Sequence, residues 1–470
     1  MTHSKERLKL SLKRWQAKQK QTPNRFYFYY AIFILCFAYI INELAKNINN
    51  ILENEVLNTF FNAGSAQEDF AFYTILLTLL SAISIFSFLY KTLADKFGRK
   101  PFLVINTIGL GVGMFVCFAA HHLIVYSIGL ILIYFFVPCD IQVVYVIETA
   151  SDKHRSFWLA FYKAIAVISI AIVSPLRSWA ITLGYWQLAF LIPAIIGVAA
   201  GVIMFFFLRE SHTFVDIKIK HLKKAIRDAD KEVKPKKTVK DAEGGVIPAI
   251  KYMFANKRLI WLFFIGVIFA ICAIGNNNFA LILDKNALSD ATVTIILFTY
   301  PFITAFVEIL AGIISDKIGR KKASLFTGFL TLVGFLYFIV GIKSNWYSVV
   351  TGICLGLFTG GYLSSIDLFN IMSAEQSPTN LRSSLLSIMG VSLSIGSFIG
   401  TGIMLLFNSI NPVMDLGFFC IVLIIPAMAT GLLILVSQIP ETKAVHLEDV
   451  GEEKKGKKDD DEIKETHIKL

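Results

Sequence analysis

Twelve apolar runs, each close to the roughly 20 residues a helix needs to cross the hydrocarbon core of a bilayer, divide this chain of 470 residues. They start near Phe26, Phe70, Phe102, Leu123, Phe157, Gln187, Leu259, Thr292, Ala323, Trp346, Ser383 and Leu416. In lipid every backbone amide must be satisfied within its own segment, so runs of this length have to be helices. With 55% hydrophobic and only 17% charged residues, the chain has too little polar surface for an ordinary soluble fold. The first run follows about 25 basic and polar residues with no small-residue cleavage site, and is read as a retained helix. The predicted fold is an all-α integral membrane protein with twelve transmembrane helices in two pseudo-symmetric six-helix bundles.

Duplication underlies the two bundles. Asp95-Lys96-Phe97-Gly98-Arg99-Lys100 recurs as Asp316-Lys317-Ile318-Gly319-Arg320-Lys321, each copy lying between the second and third spans of its half. Asp140, Glu148 and Arg155 after the fourth span likewise recur as Asp367, Glu375 and Arg382 after the tenth, all offset by 227. An even number of spans separates the copies, so the halves are parallel repeats about an axis along the membrane normal.

With both termini cytoplasmic, about 40 of the 45 lysines and arginines fall on the inside, as positive-inside orientation requires. The net charge of +11 is therefore an orientation signal and not a nucleic-acid footprint. The predicted organisation is a basic cytoplasmic N-terminus (1–25), an N-terminal bundle (26–208) and a cytoplasmic linker with an amphipathic helix from Phe214 to Val233 (209–258). A C-terminal bundle (259–437) and a disordered cytoplasmic tail (438–470) follow. The six cysteines are scattered through the spans without metal-ligand spacing. No nucleophile–base pair is evident, so neither a cofactor, a metal nor an enzyme activity is expected.

These motifs resemble the major facilitator superfamily. Leu93, Ala94, Asp95, Gly98, Arg99 and Lys100, and again Gly312, Asp316, Gly319, Arg320 and Lys321, match its Gly-x-Leu-Ala-Asp-x-x-Gly-Arg-Lys loop. The Glu148 to Arg155 and Glu375 to Arg382 pairs, Leu208-Arg209-Glu210-Ser211 and Pro440-Glu441-Thr442-Lys443 resemble the sugar-porter and organic-ion branch. Three departures stand out. Lys91 replaces the first Gly of the N-terminal motif, and the stretch Ile168 to Arg177 lacks the Gly-Pro-rich signature of drug/proton antiporters. Gly275-Asn276-Asn277-Asn278 stands where sugar porters carry Gln-Gln-x-x-Gly-x-Asn, so sugar specificity is unsupported.

The resemblance implies a conformational latch at the cytoplasmic ends, built from Lys91, Asp95, Gly98, Arg99, Glu148 and Arg155, and from Gly312, Asp316, Gly319, Arg320, Glu375 and Arg382. Asp95 suits capping of helix-end amides or pairing with Arg, Gly98 a tight turn, and Arg99 a reach to Glu148. The resemblance also implies that spans one, four, seven and ten line a cavity, with spans two, five, eight and eleven flanking it.

Charges within spans are costly and mark function or pairing. The candidates are Glu43, Asp140, Lys163, Glu308 and Asp367, with Asn42, Asn276, Asn277 and Asn278 as polar neighbours. Asp140 and Lys163 are equidistant from the turn between spans four and five, which predicts a salt bridge. The repeat position of Lys163 is Gly390, which leaves Asp367 alone as the sharper proton-carrying candidate. Glu43 is either a boundary acid facing water or a proton-coupling group, and Glu308, eight residues before Asp316, serves either the latch or the substrate. The Asn triplet suits a local break in span seven, and Gly390, Gly396, Gly400 and Gly402 suit close packing of span eleven.

The predicted function is secondary transport of a small organic solute across the plasma membrane by alternating access, as uptake with or without a proton. Efflux by the same fold, or a transport-like receptor, are the alternatives. The expected partners are the solute, a co-transported proton and the bilayer, with no nucleic acid and a monomer as a plausible assembly.

Overall fold

The computed structural model describes residues 2–19, 25–61, 93–137, 141–150, 154–230, 246–286, 288–378, 381–410 and 415–442, with isolated positions between 73 and 86. Among these are 11 helices long and apolar enough to cross a membrane. In the N-terminal half they are span one (Tyr27–Asn49), three (Arg99–Phe118), four (Leu123–Thr149), five (Ser156–Thr182) and six (Leu188–Phe207). In the C-terminal half they are span seven (Lys257–Phe279), eight (Ala291–Ile318), nine (Arg320–Lys343), ten (Ser348–Glu375), eleven (Arg382–Met404) and twelve (Leu416–Gln438). The segment predicted as span two falls largely outside the described residues, as do Lys91, Asp140 and the side chains of Asp95 and Arg155.

Each half is held by close backbone approach. On span ten Gly352, Gly356 and Gly360 recur every four residues, and a Cβ at any of them would run into Ile296, Ile303 or Val307 and the neighbouring backbone of span eight. Small residues at this spacing let helices in lipid touch along their backbones, where van der Waals contact is the main attraction. Gly361 and Gly334 do the same between spans nine and ten, and Gly111 meets Gly197 between spans three and six. In span eleven Gly396 and Gly400 pack on span seven, whereas Gly402 faces open space. Large apolar side chains such as Phe115, Phe206, Phe329 and Leu433 stay exposed on spans three, six, nine and twelve, as lipid-facing helices require.

Among the described residues, the closest approach of the two halves is a seam along spans five and eight. Gly312 makes it possible: a Cβ there would lie 2.7 Å from the Cβ of Ala160 and 2.9 Å from the carbonyl of Ser156. Several helices are interrupted. Span five contains a 3-10 turn at Ile170–Ile172, just before Pro175, and span seven consists of Lys257–Ile271 and Ala273–Lys285. The break in span seven is thus at Cys272, not at the Asn triplet, which sits inside the second segment.

Span six is followed by a helix, His212–Asp230, overlapping the stretch Phe214 to Val233 read as amphipathic, whose last residues lie outside the described ones. A further helix, Thr2–Gln19, packs against it. Trp15 meets Phe214 edge-on with ring centroids 5.7 Å apart, and Gln19 Nε2 donates to Asp216 Oδ1 at 2.7 Å. The basic N-terminus was expected only as a polar segment. Its Leu and Trp residues at helical spacing were the available signal.

Both Asp-x-x-Gly-Arg-Lys turns pass through a left-handed backbone, with φ +111° at Gly98 and +106° at Gly319. A Cβ on Gly319 would also lie 2.4 Å from Glu441 Oε2. Gly319→Ala is therefore expected to cost about 1–3 kcal/mol, measured as a lower melting temperature of the purified protein. An unchanged melting temperature would contradict this reading of the turn.

Candidate functional site

At the end of the bundle that carries the two motif loops, three arginines are fully buried: Arg99, Arg320 and Arg382. A buried guanidinium cannot shed its proton and has to find acceptors. Arg99 donates to Glu148 Oε1 at 3.0 Å and to the Ala94 carbonyl at 2.9 Å. Arg320 donates to both oxygens of Glu375, at 3.0 and 3.3 Å, and to the Ser315 carbonyl and Asp316. These two clusters are the same construction repeated in each half.

A second carboxylate completes each cluster, and its role was not read from the sequence. Glu210 accepts from the backbone N–H of Arg99 at 2.7 Å and of Lys100 at 3.3 Å, and Glu441 accepts from Arg320 and Lys321 at 2.7 and 3.2 Å. Each acid thereby fills the free amides and faces the positive dipole end of span three or span nine. Burial pushes the Glu210 carboxyl above its ordinary range, while the amides of Arg99, Ser211 and Lys100 and the charge of Arg99 pull it back. Both acids follow the last span of their half, a repeat visible in the sequence.

Polar contacts between halves start from these clusters. Arg382 Nη1 donates across the seam to Glu148 Oε1 at 3.4 Å, so one carboxylate serves an arginine from each half. Ser211 Oγ donates to the other oxygen of Glu148 at 2.5 Å. Asp316 crosses in the opposite direction and accepts from the backbone N–H of Ser156 at 3.3 Å and of Phe157 at 2.9 Å, at the start of span five. Ser315 Oγ donates to Ser156 Oγ at 3.3 Å beside it. The halves are closed against each other at this motif end.

A second level of cross-half contact lies deeper. Lys163 of span five forms a buried ion pair with Asp367 of span ten. This overturns the expectation that Asp367 stands alone. The expected partner of Lys163, Asp140, lies outside the described residues. Arithmetic within one half missed the pair because Lys163 sits on the seam, where the opposite half supplies an acid 204 residues away.

Around that pair the structure gathers several candidates. Tyr39 lies 5.4 Å from Lys163 Nζ and packs edge-on against Tyr162. Glu308 interacts electrostatically with Asp367, Lys163 and Glu43, which places it with the central pair and away from the loop clusters. Glu43 is 3% exposed, so it does not face bulk water; Lys46 Nζ is 3.9 Å away, and Asn47 donates to it at 3.4 Å. Asn42 is buried and donates to the Val137 carbonyl of span four. Of the Asn triplet, Asn278 donates to the Ile274 carbonyl one turn back, Asn276 is half-buried and Asn277 exposed.

The family model described as Major Facilitator Superfamily matches residues 35–284 and 264–460. The chain belongs to that superfamily: it is a multi-pass membrane protein and a secondary transporter of a small solute. Its fold is similar to that of the proton:xylose symporter XylE bound to 6-bromo-6-deoxy-D-glucose. That match has a TM-score of 0.72 at 13% identity, covering 91% of this chain and 99% of that one. A double-tryptophan variant of XylE matches with a TM-score of 0.68 at 14% identity, over 91% and 99% of the two chains. Comparison with curated proteins finds no match.

Removing one partner of a buried ion pair leaves the other charge uncompensated. Glu375→Ala, which leaves the buried Arg320 with Asp316 as its remaining acid and its Nε and Nη2 without a carboxylate, is expected to destabilise the protein by about 3–5 kcal/mol, whereas an exposed substitution such as Lys257→Ala changes little. Equal melting temperatures for the two variants would contradict this account of the cluster.

Proposed function

We propose that the protein takes up a small organic solute across the plasma membrane by alternating access, coupled to a proton, with both termini in the cytoplasm. Positive-inside orientation makes the motif end cytoplasmic. Closure of the halves at that end, through Arg382–Glu148 and Asp316–Ser156, is the observation that carries the proposal. A carrier closed on the inside presents its central site to the outside, ready to load.

The loop clusters form the latch in this reading. Their contacts are charge-assisted and lie at the cytoplasmic end, where both partners regain water when the halves part, so they can break and re-form as the halves rock. Lys163–Asp367 is a second tie, placed where a bound solute would lie between the halves. Three acids, Glu43, Glu308 and Asp367, lie with two lysines, Lys163 and Lys46, and this excess favours a proton or a cationic group on the solute. The chain is a carrier and not an enzyme in this account, and its latch residues move no covalent bond.

A thermal-shift screen of small solutes, followed by counterflow of the radiolabelled hit in proteoliposomes, tests the proposal. Exchange of labelled for unlabelled solute is the expected result. Binding without exchange would mean a receptor, and net movement only outward would mean an efflux carrier.

The seam supplies a second test. Gly312→Leu would force span eight away from Ala160 and Ser156, an overpacking of about 1–3 kcal/mol imposed on the cytoplasm-closed state. Cysteine accessibility from the cytoplasmic side should rise in that variant and fall in Lys91→Gly, which restores the small residue in the other copy. No change in either variant would contradict the latch.

A further inference from the structure

Glu308 is 2% exposed, and its Oε2 has no hydrogen-bond partner among the described residues. Its position follows from the seam. Spans five and eight run antiparallel, and Gly312 touches Ala160. One turn deeper on span eight is Glu308, and three residues further along span five is Lys163, so the two share a level. Among the described residues, the charged and titratable groups that face Glu308 are Asp367 on span ten, Lys163 on span five, and Glu43, Lys46 and Tyr39 on span one. Lys163 is committed to Asp367, and Lys46 lies at Glu43. With every acid ionised, Lys163 is taken by Asp367 and Lys46 by Glu43, and Glu308 would keep a buried oxygen, Oε2, with no hydrogen-bond partner among the described residues.

A cation has to complete that oxygen, and the smallest is a proton. We propose that Glu308 carries the transported proton, and that its protonation decides whether Lys163 stays committed to Asp367. The inference rests on the proton-coupled reading above and gives it an atom. A proton from the outer solution binds Glu308 Oε2, forming an O–H bond, and the neutral acid leaves Lys163 to Asp367. On the cytoplasmic side the proton returns to water, and the carboxylate becomes a second claimant for Lys163. The tie between the halves is then divided between spans eight and ten. The sliding seam at Gly312 adjoins Glu308, so rocking of the halves moves the acid between these settings.

The test is pH-difference infrared spectroscopy of the purified full-length protein in lipid. A carbonyl band of a protonated carboxyl is expected to titrate in wild type and to vanish in Glu308→Gln. In Asp367→Asn the band should persist with its midpoint moved to lower pH by about one unit or more, because that variant removes a negative neighbour and frees Lys163. In Lys163→Gln the midpoint should move to higher pH. Absence of a titrating band in wild type, its survival in Glu308→Gln, or its loss in Asp367→Asn would each overturn the assignment. The measurement needs no solute, so a failed counterflow assay sinks the transport reading while the spectrum still decides the role of Glu308.

Discussion

Burial of Arg99, Arg320 and Arg382 makes the arrangement of acids around them obligatory, since a guanidinium stays charged at any pH the protein meets. Glu148 is the most constrained of these acids. It holds Arg99 of its own half and Arg382 of the other, with Ser211 on its second oxygen. A single carboxylate thus joins the turn between spans two and three, the end of span four, the start of the linker and the start of span eleven. The linker adds to this: Phe214 covers the Arg99 guanidinium at 4.8 Å, and Trp15 of the N-terminal helix packs on Phe214.

The seam converts these local clusters into a relation between halves. Gly312 brings span eight onto span five, Asp316 then reaches the first amides of span five, and one turn deeper Lys163 and Glu308 come level. The same two helices therefore connect the motif end to the central charges. Loosening one level changes the geometry available to the other without any long chain of intermediaries.

Much of this was legible in the sequence because the bilayer limits the options. Apolar runs of spanning length have to be helices, and the doubled Asp-x-x-Gly-Arg-Lys turn shows two copies of one unit. Arg99 with Glu148 and Arg320 with Glu375 follow from the repeat, because each pair closes within one half. Pairing across the seam was not legible: Lys163 finds Asp367, which no spacing argument inside either half could supply. The anchoring acids Glu210 and Glu441, and the Gly352, Gly356 and Gly360 stripe of span ten, were present as patterns. Their partners, a helix N-terminus and a neighbouring helix backbone, emerge only once the spans are placed in three dimensions.

The central claim is that a shared carboxylate at Glu148 keeps the two halves together at the motif end. Spin labels at the exposed positions 154 and 318, on the motif-end turns of opposite halves, would report that separation by pulsed electron resonance in lipid. The account predicts a distribution dominated by a short distance in wild type and a substantial longer population in Glu148→Gln. Indistinguishable distributions, or a wild type already dominated by the longer distance, would contradict it.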